Sequence, residues 1–159
     1  MQGDSDIIDI LNTLLAGELT ATDQYLIHGE MYADMGLTVI AEHILHESLH
    51  EREHARALIQ RILFLEGKPN LAKREALDIG QDVKAMLESD LAVEYQVVAA
   101  LKAAISACEK KQDYVSREML LTQLEDTEMD HAYWLEKQLN LIKLVGIENY
   151  QQSQIKASA

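Results

Sequence analysis

The chain has 159 residues, enough for one domain with a real core, and 48% of them are hydrophobic. One Pro and seven Gly, among plentiful Ala, Leu, Glu and Lys, favour helices. A formal net charge of −13 leaves no basic footprint for nucleic acid, and with no run of 18 apolar residues no membrane span is predicted.

Met1 to Asp6 is polar and acidic, without the basic start and apolar core of a signal peptide, so a cytoplasmic location is expected. The first helix is predicted from Asp4 or Ser5 to about Asp34. Leu11, Leu14, Glu18, Ala21, Tyr25, His28 and Tyr32 form one stripe along it, and Gly36 breaks it. The second runs from about Leu37 to Leu65, with Ile40, Ile44, Glu47, Glu51, His54 and Leu58 in its stripe, and Gly67-Lys68-Pro69-Asn70 stops it. Residues 66–81 have weak periodicity and are too long for a tight antiparallel turn; a crossover along a bundle needs such a length. The third helix is predicted from near Asp82, a suitable cap, to Lys110-Lys111-Gln112, with Leu87, Leu91, Glu94, Val98, Leu101 and Ile105 as its stripe. Cys108 extends that stripe; as the single Cys it excludes a disulfide framework and a Cys-rich metal site. The fourth runs from Tyr114 or Ser116 to Val145 on Leu121, Leu124, Glu128, His131, Leu135, Leu139 and Ile142, and Gly146 ends it. Ile147 to Ile155 is a candidate short fifth helix. The expected fold is all-α, a four-helix bundle of one domain over residues 1–159, with one long crossover.

Two of these stripes carry a Glu and a His three residues apart, Glu51/His54 and Glu128/His131, a spacing that puts both side chains on one helical face. A lone Glu, Glu18 or Glu94, occupies the corresponding stripe of each remaining helix. Any one such pair is weak, and Glu47/His50 is a third copy in the same chain. Four carboxylates turned toward one core repel one another and are costly to desolvate, so something must offset them. Metal cations are the simplest candidate. Carboxylates with two imidazoles suit iron or manganese, with zinc a possible intruder. In the expected arrangement Glu18 and Glu94 are terminal ligands, Glu51 and Glu128 bridge, His54 binds one ion and His131 the other. Such a pair can deliver two electrons at once to dioxygen or peroxide.

Several segments resemble the bacterioferritins, a bacterial branch of the ferritins. They are Leu14 to Leu19, His46 to Ala55, Arg61 to Asn70, Asp90 to Glu94, Asp113 to Arg117 and Asp130 to Glu136. The resemblance spans essentially the whole chain and all six ligand positions match. It implies a ferritin-like bundle with a short C-terminal helix and a cage of twenty-four subunits. It also implies a ferroxidase that oxidises Fe(II) at a centre of two iron ions per subunit, with O2 or H2O2, and stores the ferric mineral inside. A ferredoxin-type electron donor would serve iron release.

One position departs from the family. Haem is held there between two subunits by a Met from each, where this chain has Arg52, and position 48 is Ser. Arginine stays protonated and cannot be an ordinary axial ligand. A homomer is therefore expected to lack haem, or to share its cage with a haem-binding bacterioferritin subunit that supplies Met. His43, His46, Glu47 and His50 share a broad helical face; from spacing alone this is a solvated face. The resemblance adds the reading of an inner-surface iron site at His46, His50 and Glu47. Tyr25 and Trp134 are expected to pack, Tyr25 with its hydroxyl hydrogen-bonded, in preference to a redox role. Two other functions compete: a standalone di-iron oxidase or peroxidase of the rubrerythrin type, disfavoured by the single Cys, and a cage subunit that mainly supports a haem-binding partner, disfavoured by the intact ligand set.

Overall fold

The computed structural model describes residues 1–156. Its helices are α1 (Ser5–Asp34), α2 (Thr38–Phe64), α3 (Val83–Lys110), α4 (Tyr114–Asp126), α5 (Tyr133–Val145) and α6 (Ile147–Ser153). A π-helical segment, Thr127–Ala132, joins α4 to α5. Together these three make the fourth rod of an all-helical bundle, and α6 is the short C-terminal helix.

The cap expected at Asp82 forms, and Asp4 and Asp113 cap helices as well. Asp4 accepts from the amides of Asp6 and Ile7 at the start of α1, Asp82 accepts from Ala85 N at the start of α3, and Asp113 accepts from Ser116 N at the start of α4. Each supplies an acceptor to first-turn amides that have no partner within the helix. α1 and α2 turn back on one another through Met35–Leu37, where Gly36 takes a φ of +83°, a conformation that side chains with a Cβ disfavour.

The crossover runs parallel to α1 and is stitched to one face of it. Asn70 N donates to Asn12 Oδ1 (2.8 Å), Glu75 N to Thr20 Oγ1 (2.8 Å), Asp78 N to Gln24 Oε1 (3.0 Å) and Gly80 N to His28 Nε2 (3.1 Å). The acceptors stand eight, four and four residues apart, whole turns of one helix face. The last of them reaches the core. His28 and Asp90 are fully buried, with His28 Nδ1 2.8 Å from Asp90 Oδ1 and Gln24 Nε2 donating to the same oxygen at 2.9 Å. Because Gly80 N–H donates to Nε2, His28 is the neutral tautomer that donates from Nδ1. Gly80 itself comes so close to the start of α3 that an added Cβ would lie 2.3 Å from Met86 N.

The core is in two pieces. Leu11, Leu15, Leu58, Ile62, Leu101 and Leu120 belong to one apolar cluster; Tyr25, Tyr32, Ile40, Ile44, Leu87 and Leu135 belong to the other. Between them lies a layer of buried polar residues contributed by every rod: Glu18, Glu51, His54, Glu94 and His131 among them. α3 is long and apolar enough to cross a membrane by length and mean hydropathy, 1.4 over its best window. It also carries Asp90 and Glu94 inside the bundle, where both have partners.

The stripes of α1 and α2 are buried as expected, residue for residue. On α3 the buried line passes through Asp90, Val97 and Ala104, with Leu91, Val98 and Ile105 beside it and half-buried. On the fourth rod the phase differs. Up to the first residue of the π-turn the buried residues are Leu120, Gln123 and Thr127, each one position earlier than the expected Leu121, Leu124 and Glu128. From the end of the π-turn onward they are His131, Leu135, Gln138 and Ile142, in which Gln138 takes the place expected for Leu139. A π-turn closes i→i+5 hydrogen bonds and takes in about one extra residue, which shifts the stripe by one position.

Candidate metal centre

Mid-bundle residues meet because each helix passes the same level there with a polar residue in its buried stripe. Glu51 lies at the middle. Its Oε1 is 2.5 Å from His131 Nδ1 and its Oε2 is 3.4 Å from His54 Nδ1. Glu18 Oε2 is 3.8 Å from His54 Nδ1, and Glu94 Oε1 is 3.7 Å from His131 Nδ1. The two rings lie 5.8 Å apart, nearly parallel at 20°. Two triads therefore share Glu51: Glu18–Glu51–His54 and Glu51–Glu94–His131, with the ligand atoms of each within 4.8 Å of one another. Glu18 Oε2, Glu51 Oε1 and both Nδ1 atoms are buried without an aligned hydrogen bond. Unsatisfied donor atoms converging in this way fit a cation.

Of the six expected ligands, five come together. Glu128 does not. It lies in the π-turn, exposed, with its carboxylate 2.8 Å from Lys102 Nζ on the surface of α3. The α-helical rule that places residues three apart on one face fails inside a widened turn, so Glu128 and His131 diverge. Thr127 takes the inward position and donates to Gln123 O.

The far nitrogen of each imidazole has a carboxylate partner. Asp126 Oδ2 lies 3.2 Å from His54 Nε2, and Glu47 Oε2 lies 2.8 Å from His131 Nε2. Such contacts fix the ring and leave Nδ1 free for a metal. Tyr25 donates to Glu94 from within the core, as expected. Sequence reasoning missed the partner roles of Asp126 and of Glu47, which it places in a buried stripe and, by resemblance, in an inner-surface iron site with His46 and His50.

Protons occupy the centre in the metal-free chain. Burial raises Glu18 well above the usual carboxylate range, and the charge of Glu51 adds to this. Burial also raises Glu51, but the close approach of Glu18, His131 and His54 outweighs it and holds Glu51 well below. Burial and the Glu51 charge push Glu94 up to about 7. Desolvation lowers His54, yet Glu18 and Glu51 win and push it up to about 11; His131 is raised still further by Glu47, Glu51 and Glu94. Imidazolium charges and a proton on Glu18 thus offset the carboxylates until something replaces them.

Toward the other side of α2, Glu47 reaches further histidines. Its Oε1 is 3.7 Å from His43 Nε2 and from His50 Nδ1. His50, Glu47 and His131 form a third triad with ligand atoms within 4.8 Å. His46 meets His50 edge to ring at 4.3 Å. Trp134 stacks on His43 at 3.7 Å, a packing role. His50, Glu53, His54, Asp126, Asp130 and His131 line a cavity of about 310 Å³ beside the centre.

A ferritin-like domain family matches residues 8–145. The chain is 53% identical over 155 residues to a bacterial ferritin of Pseudomonas aeruginosa, covering 98% of this chain and 100% of that protein. It is 51% identical to a bacterial ferritin of Neisseria meningitidis with the same coverage. It is 43% identical over 150 residues to a bacterioferritin of Mycolicibacterium paratuberculosis, covering 94% of each.

Proposed function

The chain belongs to the ferritin family, on its bacterial-ferritin branch, and we propose that it is a ferroxidase subunit of a cytoplasmic iron-storage cage. Fe(II) is the substrate. His54 with Glu18 and Glu51 takes one ion; His131 with Glu94 and Glu51 takes the other, with Glu128 as the sixth ligand. The observation that carries this reading is Glu51, whose two oxygens face one imidazole Nδ1 each. Two Fe(II) give up one electron each. O2 accepts the pair with two protons and leaves as H2O2, or H2O2 accepts it with two protons and leaves as two waters. The protein's part is to hold both ions on one shared carboxylate so that the electrons leave together.

The Fe(III) product passes to a mineral inside a shell of twenty-four copies, or of this chain with a haem-binding subunit. The triad of Glu47, His50 and His131 supports a relay toward an inner-surface iron site at His46, His50 and Glu47. A ferredoxin-type donor would reduce the store. Haem does not fit a homomer: Arg52 is exposed on α2 and offers no lone pair. Purified chain supplied with haem is expected to show no bis-methionine spectrum.

The test measures assembly size, the fast phase of Fe(II) oxidation and ferric iron retained per assembly. A large cage is expected, with about two Fe(II) per subunit oxidised in the fast phase and that phase lost in Glu51→Ala. A small oligomer that oxidises but retains nothing would favour the rubrerythrin-type oxidase, and a large cage with no fast phase a supporting subunit.

A further inference from the structure

We propose that Glu128 is a swinging ligand, held outside the bundle by Lys102 until a cation enters the Glu51–Glu94–His131 half of the centre. This rests on the metal reading above and says how that half is completed. Glu18, Glu51 and His54 are brought together on one side and Glu51, Glu94 and His131 on the other, three donors to each half and a buried Nδ1 without an aligned hydrogen bond in both; the His131 half is the one with a further carboxylate next to it in the chain. Three ligands are few for a divalent ion of the iron type. The fourth is three residues away in sequence and parked on the surface, 2.8 Å from Lys102.

The fourth rod can deliver it because it fits two registers. Counting back from Leu135 and His131 in α-helical steps gives Glu128, Leu124 and Leu121. Counting forward from Ser116 gives Leu120, Gln123 and Thr127, the set now buried. Leu120 serves one register and Leu121 the other, so neither strips the apolar core at that level. The π-turn marks where one gives way to the other. Moving it about one turn toward the N-terminus puts Glu128 in the inward direction that Thr127 now holds, and His131 stays where it is. A π-turn is a single extra residue, so its position can shift without refolding either flanking helix. The lock is weak by construction. The Lys102 and Glu128 side chains are 59% and 43% exposed, and an exposed ion pair yields readily to a cation that offers the carboxylate a direct bond.

The experiment titrates the assembled protein anaerobically with Co(II), which the protein does not oxidise, and follows the d–d absorption and the amide exchange of residues 127–132. Wild type, Lys102→Ala, Glu128→Gln and the double variant are compared. Two ions per subunit are expected, the second bound more weakly, with altered exchange at 127–132 as it binds. Lys102→Ala should tighten the second ion by about two- to fivefold, the worth of an exposed pair. Glu128→Gln should weaken it by at least about tenfold. In the double variant the effect of Lys102→Ala should vanish, because there is no carboxylate left to release. If Lys102→Ala tightens Co(II) equally in the Glu128→Gln background, the effect is ordinary charge removal and the swing is wrong. A second ion bound equally well by Glu128→Gln also overturns it. If wild type binds no pair of ions, the metal centre itself fails and the swing with it.

Discussion

Loading the centre with metal should expel protons, and the amount follows from the geometry. The perturbation is pH, stepped from 6 to 8. His54 is pushed up to about 11 and His131 higher, so both imidazoles are charged throughout that range in the metal-free chain. A cation at Nδ1 must displace the proton there. Each ion therefore releases at least one proton, and its apparent affinity should rise about tenfold per pH unit. Over two units that is about a hundredfold per ion. Glu18 adds to the release, and Glu94, near 7, adds a part that falls as pH rises. The assay is calorimetric titration with Zn(II) in two buffers of different ionisation enthalpy; the difference counts protons. At least two per subunit are expected, and one fewer in His54→Ala. The stability of the metal-free chain moves the opposite way. A histidine whose folded pKa is raised contributes stability that is complete below its unfolded value near 6.5 and is lost as pH climbs toward the folded one. The metal-free melting temperature should thus fall above pH 6.5, while the stabilisation conferred by metal grows. A proton count near zero, or an affinity flat from pH 6 to 8, would refute the protonated centre.

Asp126→Asn and Glu47→Gln should each weaken binding of the ion on the imidazole they face, by about 10–100-fold, without unfolding the bundle; this is read in the same titration together with a melt. His28→Ala leaves Asp90 with Gln24 as its one remaining side-chain partner and Gly80 N–H without its acceptor, and should cost about 3 kcal/mol, with faster amide exchange across 78–80. Gly80→Ala should destabilise by more than 1 kcal/mol because its Cβ meets the backbone of Met86, whereas Gly17→Ala, with nothing within 4 Å, should stabilise by up to about 1 kcal/mol. Thermal melts of the two should move in opposite directions.

Much of this was readable from residue spacing because a helix repeats locally. The stripes of α1 and α2, the cap at Asp82 and the length of the crossover need only rules that act within a few residues. The convergence of Glu18, Glu51, His54, Glu94 and His131 was legible for a related reason: a charged residue in an apolar stripe has nowhere to go but the core. The crossover's seat on Asn12, Thr20, Gln24 and His28, and the carboxylates behind His54 and His131, were not, since each joins residues some 50 to 85 positions apart with no periodicity to announce them. The fourth rod divides the two cases. Leu120 and Leu121 stand side by side, as do Gln123 and Leu124, so its sequence permits two phases and composition cannot choose. Packing against the other three rods chose, by burying Thr127 at the start of the π-turn and His131 near its end, and that choice put Glu128 on the surface. Spacing determined which residues could serve the centre; only the tertiary structure decided which of them face it, because one extra residue in a turn rotates everything before it relative to everything after.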